Sequence, residues 1–109
     1  MLATMRKRRL TQAVVRKLLE YDPASGVLTW RQRDRRWFKT DRAWASWNAK
    51  HAGRPALASR DTHGYLAGKI FGRMYRAHRV IWLHQKGARP PVVEHENHNR
   101  RDNRLLNLR

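Results

Sequence analysis

No cysteine occurs in this chain, so its fold must be held by a hydrophobic core, without disulfides, a zinc ribbon or a thiol nucleophile. That core is small. The chain has 109 residues, 40% of them hydrophobic, and domains use about 100–200 residues each. One domain is therefore expected. Five Trp and clear apolar patterning argue against general disorder despite a formal charge of +17. No apolar run approaches the ~20 residues of a membrane span, and no secretory apolar segment follows Met1.

Such a charge points to a polyanion as partner. Its distribution says more. Between Arg35 and Val93 there are thirteen basic residues and two acids, Asp41 and Asp61. Three of the eight acids, Glu94, Glu96 and Asp102, fall in the last sixteen residues. Carboxylates repel phosphates, but a site that holds a divalent cation against phosphate needs them.

Residues 1–9 read as a flexible basic arm and 10–109 as one domain. Thr11 is placed to cap a helix running to about Tyr21, with Val14, Val15, Leu18 and Leu19 at helical spacing. Asp22-Pro23 stops it, and a turn at Ala24-Ser25-Gly26 leads into a strand from Val27 to Trp30. Arg31 to Lys50 is basic, with Trp37, Trp44 and Trp47 interleaved and no readable period. Asn48 to Pro55 reads as a loop. A turn at Asp61-Thr62-His63-Gly64 precedes a strand from Tyr65 to Phe71, a tight hairpin at Gly72-Arg73 and a return from Met74 to Ala77. His78 to Gln85 reads as a short helix with Val80, Ile81 and Leu83 or Trp82 inward, ended by Gly87. Arg89-Pro90-Pro91 is an extended joint, and Val92-Val93 begins another strand.

The last segment carries the chemistry. A strand delivers Glu94 and His95 side by side, and a loop rich in Asn follows. One reading is a metal-assisted phosphodiester hydrolase. Glu94 would bind the cation, and His95, whose ordinary pKa of ~6.5 leaves it largely neutral at pH 7, would take a proton from water. The other is a solvated loop whose Asn and Asp side chains satisfy backbone groups.

The segment resembles the signature of phage-type HNH endonucleases of the ββα-metal class. Glu94-His95-Glu96-Asn97-His98-Asn99 fills its first block, Asp102-Asn103-Arg104 the second and Asn107-Leu108-Arg109 the third, in register. Ala77-His78-Arg79-Val80-Ile81-Trp82 is similar to the family's Ala-His-Arg helix start. Tyr21-Asp22-Pro23 with Ser25-Gly26 resembles its N-terminal opening, and Trp47-Asn48-Ala49 with Ala52-Gly53 its middle segment. The resemblance implies that His95 is the general base, that Glu94 stands where the family has a metal-binding Asp, and that Asn107 braces the loop and orients the base. Asp102 and Asn103 take loop-fastening roles, and the cofactor is Mg²⁺ or Mn²⁺.

The sequence departs from the family pattern at three points. Glu replaces Asp at 94. His98 and Asn99 replace a loop Gly and Asp, and losing that Gly removes an easy positive φ. The family's final helix, with its His or Asn metal ligand, would lie beyond Arg109.

The expectation is thus an α+β domain with an N-terminal helix, short antiparallel strands and an incomplete ββα-metal motif at the C-terminus. Residues 10–55 would contact DNA and 56–109 form the HNH-like part. Its function would be a DNA endonuclease, truncated or impaired by the missing block; the alternative is a catalytically silent DNA-binding protein of the same descent. Arg31, Arg33, Arg35, Arg36, Lys39, Arg42, Lys50, Arg100, Arg101 and Arg104 would grip phosphate. Trp30 and Trp82 read as core. Trp37, Trp44 and Trp47 read as base-stacking residues, with Trp47 the one most needed inside. A zinc set of His84, His95 and His98 with Glu94 has weak spacing, and His78 reads as a packing or capping residue. The resemblance implies a cytoplasmic protein of a bacterial host cell. No membrane partner is expected, and the oligomeric state is left open, a dimer among the options.

Overall fold

The computed structural model describes residues 9–89 and 92–109; the expected arm, apart from Arg9, and the two prolines of the expected joint lie outside them. Helix α1 (Gln12–Leu18) is capped by Thr11, whose hydroxyl accepts the Val14 N–H at 3.2 Å. It ends three residues earlier than its apolar repeat predicts. Leu19–Asp22 is instead strand β1, paired antiparallel with β2 (Val27–Trp30), Leu19 opposite Trp30 and Tyr21 opposite Leu28. Leu19 satisfies both periods: it continues the helical stripe of Val15 and Leu18, and it opens the alternation of buried Leu19 and Tyr21 with exposed Glu20 and Asp22. Pairing with β2 decides for the strand.

The unreadable basic stretch folds into a 3-10 turn (Arg35–Trp37) and helix α2 (Asp41–His51), capped by the Thr40 hydroxyl on the Ala43 N–H at 3.0 Å. The loop expected from Asn48 therefore starts only after His51. None of α2's residues is fully buried, so the helix writes no clear apolar stripe into the sequence. Gly53–Ala56 then runs beside β2: Gly53 N–H donates to the Trp30 carbonyl at 2.8 Å and Ala56 N–H to Leu28 at 2.8 Å.

Strands β3 (Ser59–Arg60), β4 (Leu66–Ile70) and β5 (Arg73–Arg76) form an antiparallel sheet in that order. The β4–β5 turn falls one residue before the expected place. Ile70 pairs with Arg73, which leaves Phe71-Gly72 as the two loop residues, at φ 51° and 79°, the positive values a two-residue hairpin requires. Helix α3 (Ala77–Lys86) follows at once and closes on Gly87 at φ 75°. It buries Val80, Ile81 and Leu83 and packs on α1, where Gln12 and Arg16 both donate to the His84 carbonyl at 3.1 and 2.9 Å.

Val15, Leu18, Leu19, Ile70 and Ile81 form the most enclosed part of the core. Trp30 and Trp82 pack half-buried against it. Among the middle three Trp, Trp37 is the buried one, stacked on Phe71 at 5.3 Å; Trp47 stays half-buried. The strand expected from Val92 is reduced to a short antiparallel pairing: Glu94 N–H donates to the Arg109 carbonyl at 2.8 Å, Arg109 N–H to Glu94 at 3.0 Å and Glu96 N–H to Asn107 at 2.8 Å. Three α-helices among the described residues, with these short antiparallel strands, make the expected α+β fold.

Candidate functional site

The antiparallel pairing of 94–96 with 107–109 leaves residues 97–106 as a connection that must be held largely by side chains. Asn107 is its brace. Its Oδ1 accepts the Asn97 N–H at 3.0 Å, while its Nδ2 donates to Asn97 Oδ1 at 2.9 Å and to the Asp102 carbonyl at 2.8 Å. Asp102 in turn accepts from Arg104 and from Asn97 Nδ2, and these hydrogen bonds hold its carboxyl well below the usual carboxylate range.

His95 is buried and bridges to Leu108. Its Nε2 lies 2.8 Å from Asn103 Oδ1. An amide oxygen can only accept, so Nε2 is the donor of this pair and Nδ1 is the ring nitrogen left to act as acceptor in the neutral ring. The resemblance expects Asn107 to orient this ring as well as brace the loop; the group at hydrogen-bond distance from it is Asn103. Behind His95 lies the His78 ring, 4.8 Å between centroids, and Tyr65 stacks on His78 at 4.9 Å and 12°. Burial, with His95 and the cations Arg79 and Arg76 nearby, pushes His78 down to about 4, so it is neutral at pH 7.

The N-terminal hairpin supports the same loop. Tyr21 donates its hydroxyl to the Asn103 carbonyl at 2.5 Å, and Leu105 N–H donates to the Pro23 carbonyl at 3.1 Å. Burial, with Asp22 and Asp102 nearby, pushes the Tyr21 hydroxyl up to about 12, so it stays a donor. A cleft of about 380 Å³ opens in front, lined by Tyr65, Glu94, His95, His98, Arg100 and Arg109 among others. Glu94 is the one acidic side chain among its described lining residues; it is exposed and 3.5 Å from Arg109. Arg100 lies over the Tyr65 ring at 4.7 Å.

Among the described residues no group of three His, Cys, Asp or Glu is placed to hold a metal. The zinc set is therefore not assembled, and His84 Nε2 is engaged by the Leu19 carbonyl at 3.1 Å. One carboxylate does meet the smallest requirement of Mg²⁺, which binds through one or two carboxylates, waters and substrate phosphate.

The expected phosphate grips divide into two groups. Arg31 donates to the Arg16 and Leu19 carbonyls, Arg35 pairs with Asp41, Arg104 pairs with Asp102, and Arg33 lies against Trp47. Arg36, Lys39, Arg42, Lys50 and Arg101 are exposed, as is Arg100, which also donates to the His63 carbonyl. Sequence reasoning passed over Tyr65 and Arg109 and assigned His78 to packing. Only the fold carries His78, seventeen residues before His95, onto that ring.

Residues 75–109 match the family model described as HNH endonuclease, a segment that contains both His78 and His95. No curated protein and no solved structure matches the chain.

Proposed function

We propose that this protein, whose residues 75–109 match the HNH endonuclease family model, is a metal-dependent endonuclease that hydrolyses phosphodiester bonds in DNA. The observation that carries this reading is His95, buried with Nε2 on Asn103 and facing the cleft that Glu94 also lines. Nδ1 of His95 takes the proton from the attacking water. Arg100 and Arg109 hold the phosphate in the cleft, and exposed Arg36, Lys39, Arg42 and Lys50 of residues 10–55 hold the flanking duplex. Glu94 would hold Mg²⁺ or Mn²⁺, which supplies positive charge to the leaving oxygen. The phage-type resemblance supports action in the cytoplasm of a bacterial host cell.

One observation favours the second reading, a silent DNA binder: Glu94, the one acidic side chain among the described residues of the cleft, is already paired with Arg109. Plasmid nicking in Mg²⁺ and in Mn²⁺ separates the two. The enzyme predicts nicking that His95→Ala lowers by roughly 10²–10⁴-fold. Tight, salt-sensitive binding with no nicking in either metal would establish the silent binder.

A further inference from the structure

Away from the cleft at His95, a second cavity of about 520 Å³ is lined by residues of α2, β2 and the β3–β4–β5 sheet, within the ~300–1,000 Å³ of small-ligand sites. Trp30, Trp47, Phe71 and Leu57 line it, Arg33 and Lys69 supply charge, and none of the described lining residues is acidic. Three features distinguish it from loose packing. The Arg33 guanidinium lies 3.9 Å from the Trp47 ring centroid, 5.1 Å from Trp30 and 5.5 Å from Phe71, a cation caged by aromatic rings. Its Nε is the one buried side-chain polar atom without a hydrogen-bond partner among the described residues, and such groups call for a ligand or water. Finally, Leu57, which also lines this cavity, holds φ 52° outside any hairpin turn. Backbone strain collects at ligand sites.

Aromatic rings, a fixed cation whose Nε–H is buried without a partner, and no acidic side chain among the described lining residues select a flat, electron-rich, anionic group. We propose that this cavity receives one unpaired nucleobase, with its phosphate, from the DNA engaged by the His95 cleft; the inference rests on the DNA reading above. The base stacks on the aromatic wall beside the Arg33 guanidinium, and exposed Lys69 meets the phosphate. The two sites are linked by β4: Tyr65, which lines the cleft, immediately precedes it, and Lys69 within it lines the cavity, at most about 13 Å apart at ~3.3 Å per residue. That is a few nucleotides along DNA at ~3.4 Å each.

The test titrates the full chain, at low salt, into three duplexes: one with an extrahelical 2-aminopurine, one with an abasic nucleotide at that bulge, and one fully paired. The bulged base should bind about tenfold tighter than the abasic bulge, with its fluorescence quenched on binding. Trp47→Ala should erase that preference, and Trp47→Phe, which keeps a stacking face, should retain it. The three-duplex comparison needs no variant. Equal affinity for base and abasic bulges, with no quenching, overturns the cavity proposal and leaves the DNA reading standing. No binding to any of the three overturns both.

Discussion

His98 sits at φ 64°, at the loop position where the family pattern has glycine. The sequence therefore shows where a strained residue must go, because a loop of that register needs a left-handed residue whatever its identity. His98→Gly should raise stability by about 1 kcal/mol, read as a higher urea midpoint at unchanged slope; an unchanged midpoint would mean the strain is absent. His78 makes a second test. Its folded value of about 4 lies below the ordinary 6.5, so protonation opposes folding. The stability it confers is complete above pH 6.5 and is lost as pH falls toward 4, roughly 3 kcal/mol over that window. His84, also lowered by burial, acts in the same direction. Urea midpoints at pH 7.5, 5.5 and 4 should fall in step, and His78→Phe should flatten the profile.

Between elements, the β1–β2 hairpin and the site loop form one mechanical unit. A Cβ on Gly26, at φ 80°, would lie 2.4 Å from the Asn103 carbonyl carbon. Gly26→Ala should thus cost about 2–4 kcal/mol, strain and clash together. Tyr21→Phe, which only leaves the Asn103 carbonyl without its donor, should cost roughly 1–3 kcal/mol. Equilibrium unfolding reads both, and a Gly26→Ala cost below about 1 kcal/mol would contradict the clash. The Tyr21-Asp22-Pro23…Gly26 motif was legible in sequence, but its contact with Asn103 was not, since nothing local links residues some eighty positions apart. Elements with a strong local signature, such as α3 and its closing Gly87, lie close to where their residues predict. Helix α2 did not, because it buries no residue fully; Leu19 misled because it fits two periods at once.

For the molecule as a whole, the formal charge of +17 predicts DNA affinity that falls steeply with salt. Each phosphate contact contributes about −0.9 to the slope of log K against log salt. Replacing exposed Lys39, Arg42 and Lys50 by Ser should make that slope shallower by roughly 2–3, measured by anisotropy titrations across a salt series. An unchanged slope would place the duplex on another face.

The sequence by itself determined the α+β class, a basic body and the register of Glu94, His95, Asn103 and Asn107, because turn chemistry, apolar period and motif spacing are local properties. Only the tertiary structure decided which of these side chains touch. It set Asn103 on the His95 ring with His78 behind it, the Tyr21 hairpin under the loop, and Arg33 in an aromatic cage where a phosphate grip was expected. Those pairings are long-range, fixed by how separate elements bury their apolar faces, and no spacing along the chain encodes them.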